Sequence, residues 1–331
     1  MNRGLVGHDG ARVHHTRSLC SRRFPLSLLV AIPNKAIQSF GLRGYSRALW
    51  MQRHCREAQT YFGATIECDL SDLLQRCIYH FGVWEPHISA LIESRLRPGD
   101  IFCDVGANIG YDSLLGSSLV GPTGKVIAIE ASPMIYGRLL NNLRLNRVTN
   151  VETVHIAITA ELGEIPIYKG HDWNVGTASI IASQGREREA MVRGLPLLDA
   201  LSAEDRKHLR LVKIDVEGAE LPILRQLADS IGEYSTELEV IVEVTPDATA
   251  NAGLQDVFDH FRTLGFSAWA VSNSYDVTAE YLNFDAVHAP TALSLPPTCQ
   301  QDVFFSRSYS NSLGSSPAGA RSGPSGAASE H

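Results

Sequence analysis

From about residue 64 to residue 307 the sequence alternates short β-branched runs with longer segments of helical period, a pattern that points to a parallel sheet covered by helices. The extended runs are 100–105, 125–130, 151–156, 211–216, 238–244, 266–271 and 302–306, which predict seven strands of one sheet. Helical patterns fall between them at 109–120, 134–146, 219–229 and 254–264, with turn chemistry such as Gly-Pro-Thr-Gly at 121–124. Upstream, 72–81 and 86–96 read as helices that cap the first edge of the sheet. The stretch 163–196 breaks the rhythm with Gly, Pro, Asn and Trp, and 164–169 reads as a short hairpin.

A length of 331 residues allows one large domain with extensions. The net charge of -7 hides an asymmetry, because residues 1–60 hold ten Arg and Lys against two acids, leaving 19 against 34 for the rest. An acidic body lacks the basic face that nucleic acid requires, so a small-molecule or glycan partner fits better. The cysteines at 20, 55, 68, 77, 103 and 299 form no C-x-x-C pair, which suits a reducing, cytoplasmic setting and no metal. No apolar stretch reaches the ~20 residues of a membrane helix, so no integral membrane association is expected. Residues 1–63 read as a basic leader. Arg22 and Arg23 before the apolar run 24–32 leave an export or transit signal as the alternative. Residues 308–331 are nearly all Ser, Gly, Ala and Pro, and read as a disordered tail. Between these flanks, 64–97 is expected to form a helical cap and 98–307 the core.

The most informative residues are Asp104-Val-Gly106-Ala-Asn108-Ile-Gly110, where the first strand runs through a glycine turn into a helix. Gly106 suits a positive φ and a close approach to a ligand, and Gly110 suits close packing of helix on strand. The spacing departs from the G-x-G-x-x-G of dinucleotide sites. A carboxylate at Asp104 would repel a pyrophosphate and attract a cation, which favours S-adenosylmethionine, with its ammonium and sulfonium, over NAD. Glu130, at the end of the second strand, is placed to hydrogen-bond the ribose hydroxyls of either cofactor.

With Pro98-Gly99-Asp100, Glu130-Ala-Ser-Pro133, Asn174-Val-Gly176-Thr-Ala-Ser179 and Lys213-Ile-Asp-Val-Glu-Gly-Ala-Glu220, that turn closely resembles the FkbM-type methyltransferase family. The resemblance runs from Ile78-Tyr-His-Phe-Gly-Val-Trp-Glu-Pro86 to about residue 245. It implies a class I methyltransferase (Rossmann-like) α/β three-layer sandwich: a seven-stranded, mostly parallel sheet whose seventh strand is antiparallel. It also implies methyl transfer from S-adenosylmethionine to a hydroxyl, commonly on a sugar or polyketide. Asp104, Gly106, Asn108 and Gly110 would then hold the methionine side of the cofactor and Glu130 the ribose. Ala131 stands where the family usually has proline, and no acid near Ala157 is available for the adenine amine.

Methyl transfer to oxygen needs an aligned acceptor and a group that takes its proton. Ligands of an open α/β sheet gather at the carboxyl ends of the strands, which nominates Asp215 and Glu217 as base or orienter, with Lys213 buried along the strand. His171 is a further candidate base, and Asn174 and Ser179 lie in the natural acceptor-side loop. Glu243 is a weaker candidate for the crevice, and Glu220 serves equally well as a helix cap. Paired acids leave Mg²⁺ open, although no third ligand is identifiable by spacing. The competing readings are an NAD-dependent oxidoreductase and a catalytically silent interaction module.

Overall fold

The computed structural model describes residues 55–170, 187–216, 218–245, 251–273, 281 and 287–310. In chain order the strands are β1 (Cys55–Gln59), β2 (Thr65–Asp69), β3 (Ile101–Val105), β4 (Lys125–Ile129), β5 (Val151–Val154), β6 (Ala157–Ile158) and β7 (Gly163–Tyr168). There follow β8 (Arg188–Leu195), β9 (Leu209–Ile214), β10 (Glu239–Val244), β11 (Ser267–Val271), β12 (Thr291–Leu293) and β13 (Gln301–Ser306).

Eight of these strands form one sheet in the order β12-β11-β13-β10-β9-β3-β4-β5. The five strands from β10 to β5 run parallel, whereas β13 is antiparallel to both of its neighbours, β10 and β11. This is the mostly parallel α/β arrangement that the resemblance implies, and all seven expected strands lie in the sheet. The added edge strand β12 is only three residues long and pairs with β11. Strand order reverses between β3 and β9, so the carboxyl ends of these two strands open the crevice where such sheets bind ligands.

Period-two burial sends alternate residues of each central strand to opposite layers. On one face Cys103, Val105, Val212, Ile214, Val240 and Val242 pack against Ile223, Leu224 and Leu227 of the helix Glu220–Asp229 and Phe258 and Phe261 of the helix Asn251–Thr263. On the other, Phe102, Val126, Leu211, Ile241 and Phe304 meet Ile88, Leu91 and Ile92 of the helix Pro86–Arg95 and Leu115 of the helix Tyr111–Val120. The helix Pro86–Arg95 therefore covers the middle of a face, not the first edge as expected. Its seven consecutive buried residues require cover on several sides, and Arg95 pins it to β10 through two 2.6 Å bonds to the buried Glu239.

Four other expectations change. Residues 164–169 do not turn back on themselves; β7 is one arm of a ladder whose other arm is β8, and β6 completes a separate three-stranded sheet. The β1–β2 hairpin crosses the expected start of the body at residue 64, and the helix Leu73–Phe81 packs on that hairpin, not on the sheet edge. At the other end Tyr309 packs edge-on against Trp269 and Phe304, past the expected limit at 307. No helix among the described residues is long and apolar enough to cross a membrane.

Candidate active site

The turn after β3 is shaped by one steric fact. Gly106 has φ +84, and a Cβ there would lie 1.8 Å from the Asp215 carbonyl oxygen, so the β3 and β9 ends can meet only at glycine. The Gly106 and Ala107 amides both donate to the Ile129 carbonyl at 2.9 Å, and the Asp215 amide donates to Val105 at 2.9 Å. The carboxyl ends of β3, β4 and β9 are thereby locked together. Gly110 (φ +91) opens the helix Tyr111–Val120. Its close neighbour is Leu139 of the helix Pro133–Leu145, 2.6 Å from a notional Cβ, so the close contact expected between helix and strand is one between helices.

Asp104 lies near the end of β3 and is 1% exposed. Its Oδ2 accepts a 2.6 Å bond from Ser113 Oγ. Its buried Oδ1 has no hydrogen-bond partner among the described residues. Burial, reinforced by the neighbouring Asp112 carboxylate, pushes the Asp104 carboxyl up to about 7 against the pull of Lys213 and Ser113. Such an acceptor is costly to bury alone and is satisfied by a donor or a cation.

Glu130 follows β4 directly. Its Oε2 accepts the Asn108 amide at 2.9 Å and its Oε1 the Ser132 amide at 2.8 Å. Burial raises this carboxyl to about 7 despite those backbone bonds. Each carboxylate oxygen has two acceptor positions, so capacity for two further donors remains. Asn108 holds φ +50 and its own Oδ1 accepts the Ile109 amide, a local turn that aims its backbone at Glu130.

Asp215, 28% exposed, lies just beyond β9 and accepts a 2.9 Å bond from Lys213 Nζ. Lys213 is buried as expected, and its ammonium also lies 3.3 Å from Asp112 Oδ2. Burial opposes its charge, but Asp215, Asp112, Glu85 and Asp104 together hold its pKa well above the usual lysine value. Glu220, the first residue of its helix, accepts the Gly218 amide at 2.9 Å, so its carboxylate braces the turn that follows β9. Glu243 accepts from Gln300 at 2.7 Å and stands opposite Asp302 in the β10–β13 ladder. Glu217, His171, Asn174 and Ser179 lie outside the described residues.

Three members of this wall escaped the sequence reading. Asp112 is an acid in the first turn of the helix that follows the glycine turn, a position that could have flagged it. Asp302 could have been found only from the antiparallel pairing that sets it across from Glu243. Glu85, buried with φ +42, shares the Asn273 amide with Asp302, at 3.1 and 2.6 Å respectively. Burial raises both carboxyls, Asp302 to about 7.

The residues fit a cofactor that is cationic at one end and carries a diol. Asp104 Oδ1 needs a donor, Glu130 can accept two more, and a turn flanked by buried acids is hostile to a pyrophosphate. Among the described residues no three His, Cys, Asp or Glu side chains come together to hold a metal ion.

The family model of the Methyltransferase FkbM domain matches residues 104–268. An arsenite methyltransferase of Halobacterium salinarum is 31% identical over 72 residues, a match that spans 22% of this chain and 17% of that protein. Among solved structures, the chain is similar to an FkbM methyltransferase of Methylobacillus flagellatus at 12% identity and TM-score 0.37, covering 71% of this chain and 53% of that one. It is also similar to an S-adenosylmethionine-dependent O-methyltransferase of Thermotoga maritima at 13% identity and TM-score 0.38, covering 77% and 78%.

Proposed function

We propose that this chain, whose residues 104–268 match the family model of the Methyltransferase FkbM domain, is an S-adenosylmethionine-dependent methyltransferase that acts on a hydroxyl oxygen of a sugar, glycan or polyketide-type small molecule. The observation that carries the reading is the Asp104 carboxylate, 1% exposed and with one oxygen unpartnered among the described residues, at the turn where a dinucleotide enzyme would cradle phosphate. When bound, S-adenosylmethionine supplies an electrophilic methyl on a positively charged sulfur.

Asp104, with the backbone of Gly106, Asn108 and Gly110, would hold the methionine end. Glu130 would take the two ribose hydroxyls. Asp215, half of whose carboxylate is engaged by Lys213, would face the acceptor and receive or orient its hydroxyl proton. Glu217 and His171 are the alternatives for that role, and Asn174 and Ser179 would contact the acceptor. Lys213 fixes the Asp215 carboxylate against the sheet end, so the proton-accepting group is positioned before the acceptor arrives.

Calorimetric titration with S-adenosylmethionine, its demethylated product and NAD tests the cofactor: binding of the first two with no heat from NAD is expected, and binding of NAD alone overturns the reading. Transfer of a labelled methyl to a panel of monosaccharides and methyl glycosides tests the acceptor. Label found only on nitrogen, carbon or sulfur acceptors overturns the oxygen assignment. Asp215→Asn should reduce turnover far more than cofactor affinity, and a fully active variant removes Asp215 from the chemistry.

A further inference from the structure

Glu189 lies in β8, one arm of the small sheet, 59 residues along the chain from Glu130. Its carboxylate nevertheless reaches the start of the helix Pro133–Leu145. Ser132 Oγ donates to both of its oxygens at 2.9 Å, and the Met134 amide donates to Oε1 at 2.9 Å. Ser132 is fully buried, and it is also the residue whose amide donates to Glu130 Oε1 at 2.8 Å. Ala131, between them, packs against the apolar side of the same small sheet, in a cluster with Ala157, Ile167, Val192 and Ala190. The turn 130–132 is therefore held on one side by Glu130 and on the other by β8.

We infer that Glu189 is a positioning residue of the cofactor site: by fixing Ser132 it fixes the Glu130 carboxylate, and so ties cofactor affinity to the seating of β7 and β8. An N-terminal cap alone does not account for the contact. Ser132 already caps the helix, accepting the Ile135 amide through its Oγ and the Tyr136 amide through its carbonyl, and Pro133 has no amide to satisfy. Glu189 adds the Met134 amide and, through the bond to both its oxygens, sets the direction of the Ser132 hydroxyl. β7 and β8 are also the two arms from which the segment 171–186 springs, the stretch that carries His171, Asn174 and Ser179.

The inference rests on the reading that Glu130 holds the ribose, and one binding experiment separates the two. The demethylated product, S-adenosylhomocysteine, is titrated calorimetrically into the full chain and into Glu130→Ala, Glu189→Ala and the double variant. Glu130→Ala should weaken binding by about tenfold or more, the loss of charge-assisted hydrogen bonds. Glu189→Ala should weaken it by roughly three- to tenfold, and the double variant should bind no more weakly than Glu130→Ala, because Glu189 acts through Glu130. Glu189→Gln keeps an acceptor oxygen and should recover most of the affinity. Glu189→Asp, one methylene short of Ser132, should not, and it serves in place of the alanine variant if that fails to fold. Unchanged affinity in Glu130→Ala overturns the ribose reading. Glu130→Ala weak but Glu189→Ala and Glu189→Asp bound normally, with only a lowered melting temperature, makes Glu189 a helix cap and overturns the inference alone. Additive losses in the double variant, or Glu189→Gln as weak as Glu189→Ala, overturn it as well.

Discussion

Replacing Gly106 by alanine separates two costs that are usually confounded. The first is conformational: at φ +84 an L-residue sits in the left-handed region, at about 1–2 kcal/mol. The second is steric, because the new methyl would stand 1.8 Å from the Asp215 carbonyl oxygen. That oxygen belongs to backbone and cannot swing aside, since the Asp215 amide is bonded to Val105 in the adjacent strand. Relief requires the ends of β3 and β9 to part by roughly 1.5 Å, an overpacking strain of about 1–3 kcal/mol. Gly63 is the internal control, with φ +94 and nothing within 4 Å of its notional Cβ, so Gly63→Ala carries the conformational cost alone. Urea unfolding of both variants should therefore place Gly106→Ala about 2 kcal/mol below Gly63→Ala. Parting these strand ends also displaces Asp215 relative to Asp104, so Gly106→Ala should lose affinity for S-adenosylhomocysteine while Gly63→Ala keeps it. Equal destabilisation by the two substitutions, or Gly106→Ala binding normally, would refute the claim that this glycine sets the approach of the two strands.

Burial pushes Asp104, Glu130, Glu220 and Asp302 up to about 7, so between the ordinary carboxylate range and about 7 the folded protein binds more protons than the unfolded chain. Stability of the cofactor-free protein should fall as pH rises through that window, which melting curves at stepped pH will show, and a flat profile would contradict it. Binding of S-adenosylmethionine near neutral pH should release protons, read as a dependence of the calorimetric enthalpy on the buffer's ionisation heat. Arg95→Met leaves the buried Glu239 with Arg210 as its remaining ion-pair partner among the described residues, and should cost about 3 kcal/mol in urea unfolding while cofactor-product affinity stays unchanged. Lys213→Met should lower turnover with any acceptor found, and Lys213→Arg should restore part of it; equal losses in the two would argue against a charge-based role.

The strands were legible because each central one is apolar on both faces and is bounded by turn residues, and the glycine turn was legible because its residue types are local. Asp104, Gly106 and Glu130 lie within 27 residues of one another on consecutive strand ends, so spacing alone brings them together. The rest of the wall arises from pairing that no local pattern encodes. Glu85 and Asp302 are more than 200 residues apart and meet over the Asn273 amide only because β13 inserts antiparallel beside β10. Glu189 sits in the run Arg186-Glu-Arg-Glu-Ala, which reads as a solvated charged strand until its partner helix is in place. The helix Pro86–Arg95 was misplaced for a similar reason: its consecutive buried residues carry little amphipathic signal to say which surface it covers.

The same wall explains why an acidic body need not be an unstable one. Asp104, Asp112, Asp215 and Glu85 all act on the Lys213 ammonium, which in turn acts on Asp302 and cannot neutralise them all. Burial of the surplus carboxylates would cost several kcal/mol if all were ionised, and the fold avoids that cost by retaining protons on some of them. A neutral ligand would leave those protons in place and gain little from the site's charge. A ligand with its own positive charge releases them, completes the pairing that Lys213 begins, and gives the unpartnered Asp104 oxygen a donor. Affinity should therefore follow the ligand's charge: S-adenosylmethionine should bind more tightly relative to its neutral-sulfur product as pH rises through 7, because the carboxylates that favour the sulfonium are then ionised without its help. A ratio of the two affinities that is independent of pH between 6 and 8 would mean that the wall serves the ammonium and ribose alone, and that the sulfonium is held by something outside it.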